Sequence, residues 1–263
     1  MGADFADLDN DGYLDLFVPC LEYEGHTLYR NERGKVFTDV SQTSGLHRAS
    51  ILYTGYSPSV FDYDNDGDLD IFVSCGRVRV PRERRFDKGA SYYERYGQHD
   101  LLLANDGSGH FVDVSQASGS YFHRKRIGRG AIHGDVDNDG DEDLFIVNLD
   151  DRVVLLRNDG GNRNHWITLR LRGTRSNRDG IGARVKVISG PLTQIREVRV
   201  GGGYVSQNDM RVHFGLGDRT RVDRIEVRWP SGITQTFEQI SVDQLFVIKE
   251  PLRTAESRHR GVP

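Results

Sequence analysis

The sequence predicts an all-β chain: a partial β-propeller of about three blades, followed by a small antiparallel β-sandwich or barrel. Three observations predict it. An aspartate-rich loop running into an apolar triplet occurs three times. With one insertion set aside, four short strand candidates recur with a period of about 54 residues. From Asn164 onward, apolar and polar residues alternate between Gly and Pro turns, as half-buried strands do.

The loops read D-x-D-N-D-G-x-x-D. They run from Asp7 to Asp15, Asp62 to Asp70 and Asp135 to Asp143, and lead into Leu16-Phe17-Val18, Ile71-Phe72-Val73 and Leu144-Phe145-Ile146. Carboxylates at positions 1, 3 and 5 suit a hard cation that takes six to eight oxygens in loose geometry. They are Asp7, Asp9 and Asp11; Asp62, Asp64 and Asp66; Asp135, Asp137 and Asp139. Gly at position 6 permits the turn. The position-7 carbonyl, from Tyr13, Asp68 or Asp141, adds a backbone oxygen. An EF-hand closes with Glu at position 12, where this chain has Val18, Val73 and Ile146, so Asp15, Asp70 and Asp143 at position 9 are expected to close each site. Oxygen-only ligands favour calcium over zinc, and a flexible loop favours it over magnesium. About three Ca2+ ions are expected.

A second motif lies between the loops: Leu28-Tyr29-Arg30-Asn31, Leu102-Leu103-Ala104-Asn105 and Leu155-Leu156-Arg157-Asn158. The first two are followed by a strand and a DVS-x-x-SG turn. The second unit carries an extra segment, roughly Gly76 to His99, rich in Arg and Tyr. A long loop on a rigid scaffold is a place for binding specificity. Its candidate ligand-binding residues are Arg77, Arg79, Arg82, Arg84, Arg85, Tyr92, Tyr93 and Tyr96; the plainer alternative is a solvated rim with snorkelling arginines.

Residues 1–163, the blades, hold 18 Lys/Arg and 29 Asp/Glu, a net of −11. Residues 164–250, the second β domain, hold 14 and 9, a net of +5. Residues 251–263 are polar and non-periodic and are expected to be a disordered tail. Within the second domain the strand candidates are Ala183 to Ile188, Ile195 to Val200, Arg211 to Leu216, Val222 to Trp229, Thr234 to Glu238 and Leu245 to Lys249. Cys20 and Cys75 sit at equivalent repeat positions, a full repeat apart in space, and are expected to be free and buried. No run is long enough for a membrane span, and nothing points to nucleic acid. No G-x-S-x-G, P-loop or H-E-x-x-H occurs, and the carboxylate pairs are used by the loops, so no enzyme is expected.

The three loops with their Leu-Phe-Val strands resemble FG-GAP/VCBS-type repeats of calcium-binding β-propellers. Residues 164 to about 248 resemble the ASPIC/UnbV domain. That likeness rests on Asn164-His165-Trp166-Ile167-Thr168-Leu169, Gly173 to Ala183, Gly203-Tyr204-Val205-Ser206-Gln207-Asn208-Asp209, His213-Phe214-Gly215-Leu216-Gly217 and Val227 to Gly232. The pairing resembles the cartilage acidic protein-like family. The resemblance implies a secreted, periplasmic or surface protein that binds an extracellular protein or polysaccharide without catalysis. The rival expectation is an accessory or catalytic part of a calcium-dependent polysaccharide-active enzyme. Such propellers have about seven blades, and Met1 abuts the first loop. The chain therefore reads as the C-terminal part of a longer protein, or as an open arc whose edges invite self-association.

Overall fold

The computed structural model describes residues 1–79, 91–252 and the backbone of 258–260. The expectation of an all-β chain holds. The described residues form five sheets in a propeller-like array, where the partial propeller of the sequence reading had about three blades. Three sheets come from the repeats and two from the C-terminal part.

The first repeat sheet joins β1 (Asp4–Ala6), β2 (Asp15–Val18), β3 (Thr27–Asn31) and β4 (Phe37–Asp39) in sequence order, all antiparallel. The second joins β5 (Gly55–Phe61), β6 (Asp70–Cys75), β7 (Leu101–Asn105) and β8 (Phe111–Asp113) likewise. The third has three strands, β9 (Gly128–Gly134), β10 (Asp143–Asn148) and β11 (Val154–Leu156). In each sheet the aspartate loop links the first strand to the second. The loops turn because Asn10, Asn65 and Asn138 adopt φ of 54, 58 and 60°, and Gly12, Gly67 and Gly140 adopt 92, 106 and 99°. Asn and Gly are the residues that tolerate this left-handed backbone best.

Alternation along each strand then sends every second side chain to a neighbouring blade. Phe17, Leu28, Ile71, Val73, Leu101 and Leu103 form one core between the first two sheets. Phe72, Leu102, Ala131, Leu144 and Ile146 form the next, between the second and third. Cys75 is buried and Cys20 half-buried, and both are free.

The C-terminal part supplies β12 (His165–Arg172), β13 (Arg184–Ser189), β14 (Leu192–Glu197), β15 (Val212–Gly217), β16 (Arg221–Arg228), β17 (Thr234–Ser241), β18 (Gln244–Lys249) and β19 (Arg258–Arg260). They make two sheets, ordered β15-β12-β18 and β14-β13-β16-β17-β19. Both line one core that includes Ile167, Leu169, Val185, Phe214, Val227 and Trp229. The strand expected at Ile195 to Val200 instead starts at Leu192. The Gly190-Pro191 turn pairs Ser189 with Leu192 and moves the register forward. The expected disordered tail also needs correction, since Arg258–Arg260 pairs in parallel with Thr236–Glu238.

Between β14 and β15 the chain leaves the sandwich and runs along the first strands of all three blades. Arg199 Nη1 meets Asp4 at 2.9 Å. Tyr204 N–H donates to Ser57 Oγ at 2.9 Å, His133 N–H donates to Asn208 Oδ1 at 3.2 Å, and Asp209 N–H donates to the His133 carbonyl at 3.2 Å. Gly203 is required by this approach: its φ is 76°, and a Cβ there would lie 2.4 Å from Ser57 Oγ.

The start of the sandwich is pinned by Glu250, 1% exposed. Its carboxylate accepts from the N–H groups of Thr174, Arg175 and Ser176 at 2.8, 2.7 and 2.7 Å, and from the hydroxyls of Ser176 and Ser231. Burial pushes its pKa up, but the donors together outweigh burial and hold it at about 2. Because the folded pKa lies below the unfolded one, this contribution is complete above the ordinary Glu range and is lost as pH falls from there toward 2. Glu250→Gln is expected to cost about 2 kcal/mol at pH 7. Urea unfolding at pH 7 and pH 2.5 checks it, and a penalty of equal size at both pH values would contradict the clamp.

Candidate metal centres

The three loops repeat one internal geometry. The first Asp is buried in each: Asp7, Asp62 and Asp135 are 1, 1 and 6% exposed. One oxygen of each accepts from the position-6 glycine N–H, from Gly12 at 3.0 Å, Gly67 at 2.9 Å and Gly140 at 3.2 Å. Positions 3 and 5 also spend an oxygen on the loop backbone. Asp9 accepts from Asp11 N–H at 3.3 Å, Asp11 from Tyr13 N–H at 2.9 Å, and Asp66 from Asp68 N–H at 2.8 Å. Three carboxylate oxygens converge to within 4.8 Å of one another in each loop. They come from Asp7, Asp9 and Asp11; Asp62, Asp64 and Asp66; and Asp135, Asp137 and Asp143. These clusters have the donors to hold a metal ion.

The electrostatics fit the same role. Burial, with neighbouring carboxylates adding to it, pushes Asp7 up to about 6 and Asp62 well above its ordinary value. Burial likewise lifts Asp9, Asp64, Asp66 and Asp135. Asp7 Oδ1 is buried with no hydrogen-bond partner. A buried, crowded carboxylate with an unpaired oxygen is the arrangement that a hard cation relieves.

Position 9 has a further role that sequence reading missed. Asp15, Asp70 and Asp143 accept the N–H of loop position 2 on one oxygen, from Leu8, Tyr63 and Val136 at 3.0, 3.1 and 3.0 Å. The other oxygen accepts the N–H of Asn31, Asn105 and Asn158, each at 2.8 Å. The loop and the second motif are thus one device, with the Asp tying loop start to third strand. Burial lifts Asp15 to about 7 and Asp70 well above its ordinary value. Each oxygen keeps a second lone pair, and only Asp143 joins its loop's convergent cluster.

Position 7 side chains serve elsewhere. Asp68 accepts from Asn10 Nδ2 at 2.7 Å, bridging the first two loops. Asp141 accepts from the N–H groups of Gly160 and Asn162 at 3.2 and 3.4 Å. Tyr13 stands at the surface, 39% exposed. Asn65 Nδ2 donates to the Gly140 carbonyl at 2.8 Å, and its Oδ1 pairs with His213 Nε2 at 2.6 Å.

That last contact brings the C-terminal sheets onto the loops. A half-buried arginine there is Arg196, on β14. Its Nη1 donates to the Ile195 carbonyl at 3.1 Å and its Nη2 to Gln194 Oε1 at 2.9 Å. Its Nε is buried without a partner. The nearby charges are Asp62, Asp7, Glu142 and Asp68. Glu142 occupies position 8, where the other loops have Leu14 and Leu69, and burial pushes it to about 8. Arg196 and Glu142 line a cavity of about 80 Å3 with His133 and Arg211. Nothing local in the sequence marks Arg196.

The insertion lies elsewhere. Arg77 is paired with Glu22 at 3.0 Å, and Arg79 is exposed. Arg82, Arg84 and Arg85 fall outside the described residues. Helix α2 (Tyr92–Tyr96) is capped reciprocally by Ser91 and Glu94. Tyr92 is 44% exposed and packs on Tyr96 with ring centroids 4.8 Å apart. Tyr93 donates its O–H to the Asp150 carbonyl.

Comparison with known proteins gives two family matches. An FG-GAP-like repeat matches residues 7–73, and an ASPIC and UnbV domain matches residues 173–255. No curated protein matches the chain. The first match spans the first two aspartate loops and the strands that follow them; the second spans most of the sandwich and the segment that lies along the blades. The chain is an FG-GAP repeat protein with a C-terminal ASPIC/UnbV domain.

Proposed function

We propose that the protein is a calcium-stabilised, non-catalytic binding module that works outside the cell, at the surface or in the periplasm. Its ligand is a protein or a polysaccharide. Each loop holds one Ca2+ through positions 1, 3 and 5, with the position-7 carbonyl and the position-9 Asp completing the oxygens. Calcium supplies charge neutralisation and rigidity there. Extracellular calcium suits sites of this kind. In the described residues no helix is long and apolar enough to cross a membrane.

The binding surface is the blade end away from the loops. Strands β5 and β9 run toward their loops, so Tyr56 and Arg129, near their starts, mark the opposite end. Arg129 lies over the Tyr56 ring at 3.9 Å, and Tyr204 meets that ring edge-on at 5.3 Å. The insertion leaves from the same end, after β6. The observation that carries this reading is Val205. It is 90% exposed with φ of 51°. A β-branched residue in left-handed backbone is strained, and such strain concentrates at functional positions. The half-buried Tyr204 ring beside the Arg129 guanidinium offers a face to stack on a sugar or a charge to receive an acidic side chain.

A glycan array and a co-purification screen, read with Tyr204→Ala and Arg129→Ala, test this. Each variant is expected to weaken captured binding at least tenfold, a loss of about 1.4 kcal/mol, with the melting temperature nearly unchanged. Glycan hydrolysis by the purified chain would overturn the non-catalytic reading. Binding untouched by both variants would move the ligand off this end.

A further inference from the structure

The two ends of the blades differ in charge. One end carries the aspartate loops. At the other, Arg124, Lys125, Arg126 and Arg129 fall just before and at the start of β9. Among the described residues none of the four pairs with a carboxylate. Carbonyls and rings hold two of them instead. Arg126 Nη1 donates to the Tyr121 and Arg124 carbonyls at 3.1 and 3.3 Å, and its guanidinium lies over the Tyr121 ring at 4.2 Å. Arg129 Nη1 donates to the Gly128 carbonyl at 2.7 Å and Nη2 to the Arg77 carbonyl at 3.5 Å, besides its contact with Tyr56. Both guanidiniums are thus oriented without an ion pair to neutralise them. Asp100 lies near Arg126, but it is buried, and its oxygens accept from Cys75 N–H and Tyr121 O–H.

The described part of the insertion continues this surface. Gln98 and Arg126 exchange backbone hydrogen bonds, both at 2.8 Å, and a Cβ on Gly97 would lie 3.3 Å from Lys125 Cβ. Helix α2 therefore sits beside the cations. Tyr93 stands near Arg124, and the exposed Tyr92 stands near Tyr56, the ring under Arg129. Rings and cations alternate along a strip from Tyr204 and Arg129, over α2, to Arg124. Asp150 and Asp151 bound the strip beside Tyr93.

Resting on the binding surface proposed for this end, we infer that the strip binds a linear acidic polysaccharide, one that carries sulfate or carboxylate groups on its sugar rings. The acid groups meet the guanidiniums and Lys125, and the apolar faces of the sugars lie on the tyrosines. The acidic loops at the far end repel such a chain, so the field along the blades steers it to this end. An acidic protein would satisfy the cations but would bring no sugar face to the tyrosines.

Calorimetric titration of the full chain in calcium with heparin oligosaccharides, beside neutral dextran and polyglutamate, tests it. Heparin is expected to bind, dextran not to bind, and polyglutamate to bind about tenfold or more weakly. Replacing Arg124 and Lys125 together by Ser is expected to cost about tenfold or more in heparin affinity, through the counterions no longer released. The melting temperature should not move, because both side chains are exposed. Removing two exposed cations at the loop end, Arg33→Ser with Lys35→Ser, is expected to change heparin affinity by less than about twofold, since salt screens charges that far away. Tyr92→Ala is expected to weaken heparin severalfold and leave polyglutamate unaffected. Polyglutamate bound as tightly as heparin would point to an acidic protein or to bare charge, and equal losses from the two double substitutions would take the ligand off the strip; either overturns the inference. Heparin left unbound, with another ligand still lost on Tyr204→Ala, would overturn it and leave the binding-module reading standing. Heparin bound at the strip and then cleaved would uphold it and remove the non-catalytic reading.

Discussion

Removing calcium is expected to lower the melting temperature by about 15 °C or more. A ligand present at a hundred times its dissociation constant stabilises the folded state by about 2.7 kcal/mol per site. Three independent sites supply about 8 kcal/mol on that basis. In a chain of this size each kcal/mol moves the melting temperature by about 2–4 °C. Calorimetry in calcium at about a hundred times the titrated dissociation constant, against excess chelator, reads the shift directly. Magnesium at equal concentration is expected to restore less than half, because it demands a tighter octahedron than these loops form. Superimposed melting curves would remove the calcium reading.

Two single substitutions separate ligation from loop stapling. Asp7→Asn removes a crowded charge while keeping size, and its remaining oxygen still accepts from Gly12 N–H, since only one Asp7 oxygen has a partner. It is expected to cost stability in calcium and nothing, or slightly less than nothing, in chelator. Asp70→Asn also loses an acceptor for one of two N–H donors, Tyr63 and Asn105. It is therefore expected to cost about 1–3 kcal/mol in chelator as well. Equal behaviour of the two variants in chelator would mean that position 9 does not act as a staple.

The loops were legible because their chemistry is local. Alternate carboxylates and one glycine within nine residues suffice to suggest a cation loop, and the apolar triplet after each signals a strand. The role of position 9 was only half legible. Its second partner, Asn31 for Asp15 or Asn105 for Asp70, arrives from the third strand of the blade. Only pairing in space joins those two motifs. The strand from Leu192 was misplaced for a different reason: the tight Gly190-Pro191 turn sets its register, and alternation alone extends too far toward Val200. In the sequence, residues 201–210 read only as a break between the strand candidates Ile195 to Val200 and Arg211 to Leu216. Their function as a cover for β1, β5 and β9 depends on edges that exist only once the blades are folded. Arg196 was invisible by the same logic. It is one arginine in a basic domain until β14 places it against acidic loops far away in sequence.

Replacing Arg196 is expected to move stability and calcium affinity in opposite directions. Arg196→Met takes a guanidinium from among Asp7, Asp62, Asp68 and Glu142. Leaving a buried charge network without one partner costs about 3–5 kcal/mol. The loss should be larger in chelator, where Arg196 is the arginine set among Asp7, Asp62 and Asp68, and smaller once calcium offsets them too. The same guanidinium opposes calcium, because like charges in a partly buried site repel more strongly than in water. Its removal is therefore expected to tighten binding at the first two loops severalfold while the protein melts lower. Arg196→Lys retains the charge but not the paired donation to Ile195 and Gln194. It should keep calcium affinity near that of the parent and recover part of the stability. Calorimetric titration with calcium, beside melting in chelator, gives both quantities on one sample. If Arg196→Met weakened calcium binding, the arginine would be a support for the loops and no competitor of the cation. If it left melting in chelator unchanged, the C-terminal sheets would not be held to the blades by this charge.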